Sequence, residues 1–373
     1  MQYLKILLLI MLTSITSLTN AQTSTQNKLF KWSELPSLPD KFGFAGSFGG
    51  VSGDALIVGG GANFPDGGAP WTGSKKVWSD KIFVFDKAVG AWKLAGTLPE
   101  PLGYGVSITY NGKLICIGGS NELGHVAKVF AIEYKNGKIE MEEMKSLPHS
   151  LANASGTLIK DKIYIAGGLA KADSQETSNC FWTLDLKGGN QAEWKALNTW
   201  PGPPRMLAVA GNNAESFYLF SGTNLIKNKD GALERIYLKD AFMYDPDKGW
   251  KKLKDLPTPV VAAPGPAYTS KNKLYIFGGD DGKLAKVAAD LKEKHPGFSD
   301  QILAFDVLKN EWSVAGKIHI NIKADAGANP NASTWPAVTS TLVIWNGSLI
   351  FPSGEVRPAI RTPRVTVATP IKN

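Results

Sequence analysis

The apolar and polar positions of this chain recur as one phrase: a short alternating strand, a buried strand ending in two small residues, a variable loop, an aromatic strand closed by Asp, then a Trp and a Leu-Pro. The small pairs fall at Gly59-Gly60, Gly118-Gly119, Gly167-Gly168 and Gly278-Gly279, with Ser221-Gly222 and Ser353-Gly354 as degenerate copies. In the first copy, Ala45 to Gly50 reads as an inner strand and Ala55 to Val58 as a second. Ile82 to Asp86 reads as a third, and Trp92 opens a fourth before Leu98-Pro99. Outer tryptophans return at Trp194, Trp250 and Trp312, while Lys138 to Met141 keeps the place in the second copy without one. Six units of four strands predict an all-β, six-bladed propeller, with the aromatic positions filling the wedges between blades.

The last copy is one strand short. After Ser353-Gly354 the chain offers only Val365-Thr366-Val367 as a third strand, whereas Lys31-Trp32-Ser33-Glu34-Leu35-Pro36 carries an outer-strand phrase with no blade before it. The N-terminal strand is therefore expected to join the C-terminal three and close the ring, which removes free sheet edges. Three long loops, over 61–80, 223–239 and 280–299, are expected to cover one face.

Composition changes the picture at the ends and at the surface. Residues 1–21 read as a cleavable signal peptide, with Lys5, an apolar run from Ile6 to Leu12 and a cut after Ala21; residues 22–373 are left as one propeller domain, periplasmic or secreted. No later stretch approaches the ~20 apolar residues of a membrane span. Cys116 and Cys180 sit in different copies and are expected as free thiols, because a core of this size needs no staple. The net charge of +8 is scattered, without a basic stripe or RNA-binding motif, so it biases the surface toward small anions rather than nucleic acid.

Nothing in the chain forms a nucleophile elbow, a phosphate loop or a dinucleotide fingerprint, and His125, His149, His295 and His319 have no metal-ligand spacing. Asp280-Asp281-Gly282 reads as a turn. The segment Ser353 to Thr362 is the most suggestive, because Glu355 follows the second strand directly and Arg361 opens the next. A carboxyl group there can carry a proton, and a guanidinium can hold a carboxylate; an ion pair tying a strand turn would present the same sequence. Arg205, after Pro201-Gly202-Pro203-Pro204, is expected to point into the channel, the other reading being a surface Arg after a turn. Asn63 and Tyr104 fall where a loop and an inner strand should meet the channel.

At these residues the chain resembles the kelch-type N-acetylneuraminate epimerases (sialic acid mutarotases), in the cyclically permuted subgroup. Gly354-Glu355-Val356-Arg357-Pro358-Ala359-Ile360-Arg361-Thr362 is similar to a family Gly-Glu-x-Lys-Pro-x-x-Arg-Thr phrase, with Arg357 in place of Lys. Trp200 to Arg205 resembles Phe-Pro-Gly-Gly-Pro-Arg, and Gly103 to Ser107 resembles Ala-Tyr-Gly-Val-Ser. What resembles the first blade of the unpermuted enzymes begins near Asn153. The resemblance implies an isomerase that interconverts sialic acid anomers without metal or organic cofactor, with Glu355 and Arg361 catalytic and Arg205, Asn63 and Tyr104 binding the anionic sugar. The alternative is a non-catalytic propeller that binds a glycan or protein. A sialidase would need Ser-x-Asp-x-Gly-x-Thr-Trp boxes, and a copper radical oxidase a Tyr-Cys pair with histidines.

Overall fold

The computed structural model describes residues 29–371; the segment read as a signal peptide lies outside them. Six antiparallel four-stranded sheets form the blades of a ring. Blade 1 comprises Phe48–Ser52, Ala55–Gly59, Lys81–Asp86 and Ala91–Thr97, in that order from axis to rim. Blade 2 begins at Val106–Tyr110, blade 3 at Ser155–Ile159, blade 4 at Val209–Asn213 and blade 5 at Tyr268–Ser270. Blade 6 is composite: Val343–Trp345, Ser348–Arg357 and Ile360–Pro370, with Phe30–Leu35 as its outer strand. In that closure Phe30 pairs with Pro370, Trp32 with Ala368 and Leu35 with Val365. Phe30 packs among Phe277, Ile302, Leu349 and Phe351, so the seam also welds blade 5 to blade 6.

The inner strand of blade 1 starts three residues later than the expected Ala45. Gly46 takes φ 69°, which turns the chain out of the sheet, and Ala45 makes a lone bridge to Ala62. The same turn occurs ahead of every inner strand, at Tyr104, Asn153, Leu207, Ala262 and Thr339, all with positive φ. These six residues hydrogen-bond head to tail around the axis. Gly46 N donates to Thr339 O, Tyr104 N to Gly46 O, Asn153 N to Tyr104 O, Leu207 N to Asn153 O, Ala262 N to Leu207 O and Thr339 N to Ala262 O, at 2.7–2.9 Å. A left-handed conformation costs a non-glycine residue ~1–2 kcal/mol, and this circle of bonds helps to hold five such residues in place.

The small pairs have an equally local cause. Their first members, Gly60, Gly118, Gly167, Ser221, Gly278 and Ser353, all lie at φ 55–68°, which moves the pair of blade 1 one residue on from the expected Gly59-Gly60. A Cβ at Gly60 would stand 2.1 Å from Leu102 O, since Gly61 N donates to that carbonyl. Where serine replaces glycine, its hydroxyl takes up a bond from the linker to the next blade: Val260 N donates to Ser221 Oγ at 2.9 Å and Phe44 N to Ser353 Oγ at 2.7 Å.

Packing at the rim is directional as well as apolar. The indole N–H of Trp92 donates to Pro36 O, that of Trp194 to Lys145 O, that of Trp250 to Asn198 O and that of Trp312 to Lys254 O, each reaching the outer strand region of the preceding blade. Blade 2, where Lys138–Glu143 forms the outer strand, lacks this staple and packs Ile139 instead. Cys116 is buried, Cys180 partly so, and both are free thiols; burial pushes the Cys180 thiol up to about 11.

One face carries the long connections. The 61–80 loop folds back as a short ladder, Ala62 opposite Trp78 and Asn63 opposite Val77. The 223–239 segment, expected as a loop, is a hairpin of Thr223–Lys227 and Leu233–Tyr237, because Asn228 side-chain and main-chain bonds close a turn at Gly231. The 280–299 loop holds one short helix, Ala288–Leu291. In blade 6 the hairpin runs beyond the expected third strand to a turn at Pro358-Ala359. No helix among the described residues is long and apolar enough to cross a membrane.

Candidate active site

Glu355 stands at a place the fold repeats six times. Two residues past each left-handed small residue the chain bridges back to the linker before its own or the next inner strand: Ala62 to Ala45, Ser120 to Gly103, Leu169 to Ala152, Thr223 to Met206, Asp280 to Val261 and Glu355 to Val338. Only blades 5 and 6 put a carboxylate there. Asp280 is spent, accepting from the Tyr237 hydroxyl at 2.7 Å and from Gly282 N at 3.0 Å, as its reading as a turn residue requires.

Glu355 is differently placed. It lies directly opposite Arg361 across the blade 6 hairpin, and Glu355 Oε2 is 3.2 Å from Arg361 Nη2. Burial pushes the Glu355 carboxyl above the usual carboxylate range, with the charge of Arg361 opposing the shift and those of Lys76 and Arg235 adding smaller pulls the same way. A carboxyl raised by burial yet still paired to a guanidinium holds a proton more readily than a free surface glutamate. Arg361, only 5% exposed in its side chain, lies 4.8 Å over the Phe64 ring. Its Nε and Nη1 have no hydrogen-bond partner among the described residues.

Tyr104 joins this pair. As a member of the axial circle it carries φ 61°, and its ring lies against Gly46. Burial pushes the phenol up, with Arg361 pulling it back and Glu355 raising it further. Tyr104 and Arg361 line different openings. Tyr104 lines an axial bowl of about 100 Å³ together with Asn153, Leu207 and Thr339. Arg361 lines a neighbouring cavity of about 540 Å³ with Phe42, Phe64 and Asn331, a size that suits a small ligand.

The other two expected binding residues are elsewhere engaged. Asn63 is buried, and its amide donates to Gly43 O at 2.9 Å and to Asp40 Oδ1 at 3.2 Å, bracing the linker that enters blade 1 next to Phe64. Arg205 does not reach the channel. Its side chain is 0% exposed, is held by both Asp240 oxygens at 2.8 and 2.9 Å and by Ser221 O at 2.8 Å, and is flanked by the Trp200 and Phe242 rings. The proline turn that precedes it drives it inward between blades 3 and 4, where a carboxylate waits. Arg205→Met should lower stability by about 3–5 kcal/mol through the stranded Asp240 carboxylate, read as a lower urea midpoint; an unchanged midpoint would show the pair to be dispensable.

Sequence reasoning missed Lys76. It sits one residue before the short ladder, with Nζ 4.5 Å over the Trp78 ring and 5.1 Å over the Tyr104 ring. Burial, then the charge of Arg361, pulls its ammonium below the ordinary lysine range, and Glu355 partly restores it. Its only signal in sequence is an aromatic two positions on. Among the described residues no three His, Cys, Asp or Glu side chains come together as a metal site.

The fold and site are thus those of a six-bladed propeller with a carboxyl–guanidinium pair, Arg361 buried and Glu355 partly so, on its blade 6 hairpin. The chain belongs to the N-acetylneuraminate epimerase family, whose profile matches residues 14–141 and 144–373. It is similar to the N-acetylneuraminate epimerase of Haemophilus influenzae strain 86-028NP, 28% identical over 239 residues, which cover 58% of this chain and 56% of that protein. The enzyme of that name from Yersinia enterocolitica is 36% identical over 136 residues, 32% of this chain and 34% of the other, and that of Salmonella enteritidis PT4 is 37% identical over 121 residues, 29% and 31%. The aligned stretches thus span about half, or about a third, of these relatives' lengths.

Proposed function

We propose that this protein is an exported mutarotase that interconverts the α and β anomers of N-acetylneuraminate. The observation that carries the proposal is the Glu355–Arg361 pair, Arg361 buried and Glu355 partly so, in register across the blade 6 hairpin. Ring opening of a 2-keto sugar acid breaks the bond from the anomeric carbon to the ring oxygen and forms the keto group. It requires a proton to leave the anomeric hydroxyl and a proton to reach the ring oxygen. Glu355 as carboxylate takes the first and, as carboxylic acid, delivers it to the ring oxygen; when the ring recloses on the other face it takes the proton back from that hydroxyl and gives it to the keto oxygen, so no atom is gained or lost over the cycle. Arg361, with Nε and Nη1 unspent, stabilises the carboxylate form and is the group to hold the substrate's own carboxylate. Tyr104, at the side of the pair, contributes a hydroxyl to the opened keto oxygen.

Family membership supports the sugar, and so do the relatives' names. The break in the family match, at residues 142–143, falls on the last two residues of the outer strand of blade 2. Export rests on Lys5 and the Ile6–Leu12 apolar run, which precede a chain whose later segments contain no comparable stretch.

The proposal is tested by adding catalytic amounts of protein to freshly released α-N-acetylneuraminate and following the anomeric signals by proton NMR. Equilibration several-fold faster than buffer is expected. A rate equal to buffer, with the sugar still bound, would identify a binding propeller instead.

A further inference from the structure

We propose that Lys76 is a specificity-determining residue: with Arg361 it forms a two-cation clamp on the carboxylate of the sugar acid, so that the site selects anionic over neutral sugars. The inference rests on the functional reading above and deepens it.

The short ladder of the 61–80 loop determines where Lys76 lies. Asn63 pairs with Val77, so the residue after Asn63 and the residue before Val77 continue side by side at the ladder's end. Those residues are Phe64, whose ring carries the Arg361 guanidinium at 4.8 Å, and Lys76, whose ammonium lies over Trp78 and Tyr104. The two cations therefore reach the same corner from two blades, one from the blade 1 loop and one from the blade 6 hairpin. Lys76 is an exposed residue whose ammonium lies over two aromatic faces, which fixes the direction of a side chain that is otherwise free.

Charge arithmetic points the same way. Within the cluster of Lys76, Arg361, Tyr104 and Glu355 there are two permanent or near-permanent cations and one carboxylate, and that carboxylate is bonded to Arg361. Lys76 makes no ion pair within 4.0 Å among the described residues, and Arg361 keeps Nε and Nη1 unpartnered although nine-tenths buried. After burial, the charge of Arg361 is what pulls the Lys76 ammonium down. An anion placed between them relieves that repulsion and supplies the missing acceptors; a neutral ligand does neither. Lys76 touches the ligand and carries no proton in the reaction, so its loss acts on binding.

The test measures the Kd of N-acetylneuraminic acid and of its methyl ester, by isothermal titration, for the wild type, Lys76→Gln and Lys76→Arg. Wild type should prefer the acid. Lys76→Gln should weaken the acid roughly 10–100-fold, the range of one charge-assisted hydrogen bond, and leave the ester within about twofold; Lys76→Arg should retain most of the preference. Equal weakening of acid and ester would overturn the clamp in favour of a structural role, and so would a wild type without preference for the acid or a Lys76→Gln variant that keeps it. The mutarotase reading fails separately: a wild type that prefers the acid through Lys76 but leaves the NMR rate at the buffer value loses the reaction and keeps the clamp.

Discussion

Glu355→Gln is expected to remove most of the catalysed equilibration of N-acetylneuraminate, by about 10²–10⁴-fold in kcat, while the protein melts cooperatively near the wild-type temperature. The side chain is nearly isosteric, and the main chain of Glu355, which bonds Val338 in both directions at 2.8 and 2.9 Å, is untouched. A glutamine carbonyl can still accept from Arg361, so the guanidinium is not stranded; what disappears is the group that can take and return a proton. The pH profile gives a second reading of the same residue. Burial raises the Glu355 carboxyl, so the acid limb of the wild-type rate, where the carboxylate is protonated and cannot act as base, should lie above the ordinary carboxylate range and fall as pH decreases through it. The variant should lose that limb. Full activity in Glu355→Gln, or an unchanged acid limb, would take Glu355 out of the mechanism.

Deleting residues 30–39 is expected to cost both activity and stability. The deletion strips the outer strand from blade 6, exposes the edge of Ile360–Pro370, and removes Phe30 and Leu38, which are 4% and 2% exposed. Each buried apolar side chain of this size contributes about 1.5–3 kcal/mol by transfer alone, and the cavity adds to it. Two of them, with six residues of ladder, approach the ~5–15 kcal/mol that a folded domain has in total. The truncated chain should therefore unfold at a much lower temperature and without a sharp transition. Phe30→Ala in the full chain serves as the graded version, expected to lower stability by about 3–5 kcal/mol with the active-site residues intact. A truncation that remains stable and active would refute the closing role of the strand.

Much of this architecture can be read from the sequence because its causes are local and repeated. The orphan phrase around Trp32 has a meaning only if another blade is one strand short, and the chain ending after Val365 supplies that blade. Glu355 is legible for the same reason: it follows the small pair of its blade directly, at a place where, counting two residues past each left-handed small residue, the other blades carry Ala62, Ser120, Leu169, Thr223 and Asp280, so a carboxylate is out of keeping with most of them. Arg205 was misread because its partner, Asp240, is 35 residues away, and no pattern near Pro203-Pro204 signals it. Asn63 fails likewise, since its amide is taken by Asp40 and Gly43 in the linker of a neighbouring turn. Lys76 escaped notice because only the folding back of the 61–80 loop brings it beside Phe64, and a two-residue ladder leaves almost no periodicity to detect. Local chemistry propagates into sequence; pairings across loops do not.

The circle of six main-chain bonds around the axis has an electrostatic corollary. Peptide dipoles arranged nose to tail in a closed loop cancel in the plane of the loop, and the donors and acceptors joined in it are not available to a ligand. The floor of the mouth is thus electrically quiet, unlike the open end of a helix, and cannot attract an anion by itself. A scaffold with near-sixfold repetition consequently has no intrinsic preference for where a charged sugar should sit. That preference is left entirely to the few side chains that break the repetition, and they lie on one arc, from the blade 6 hairpin to the blade 1 loop, on either side of the seam where the two ends of the chain meet.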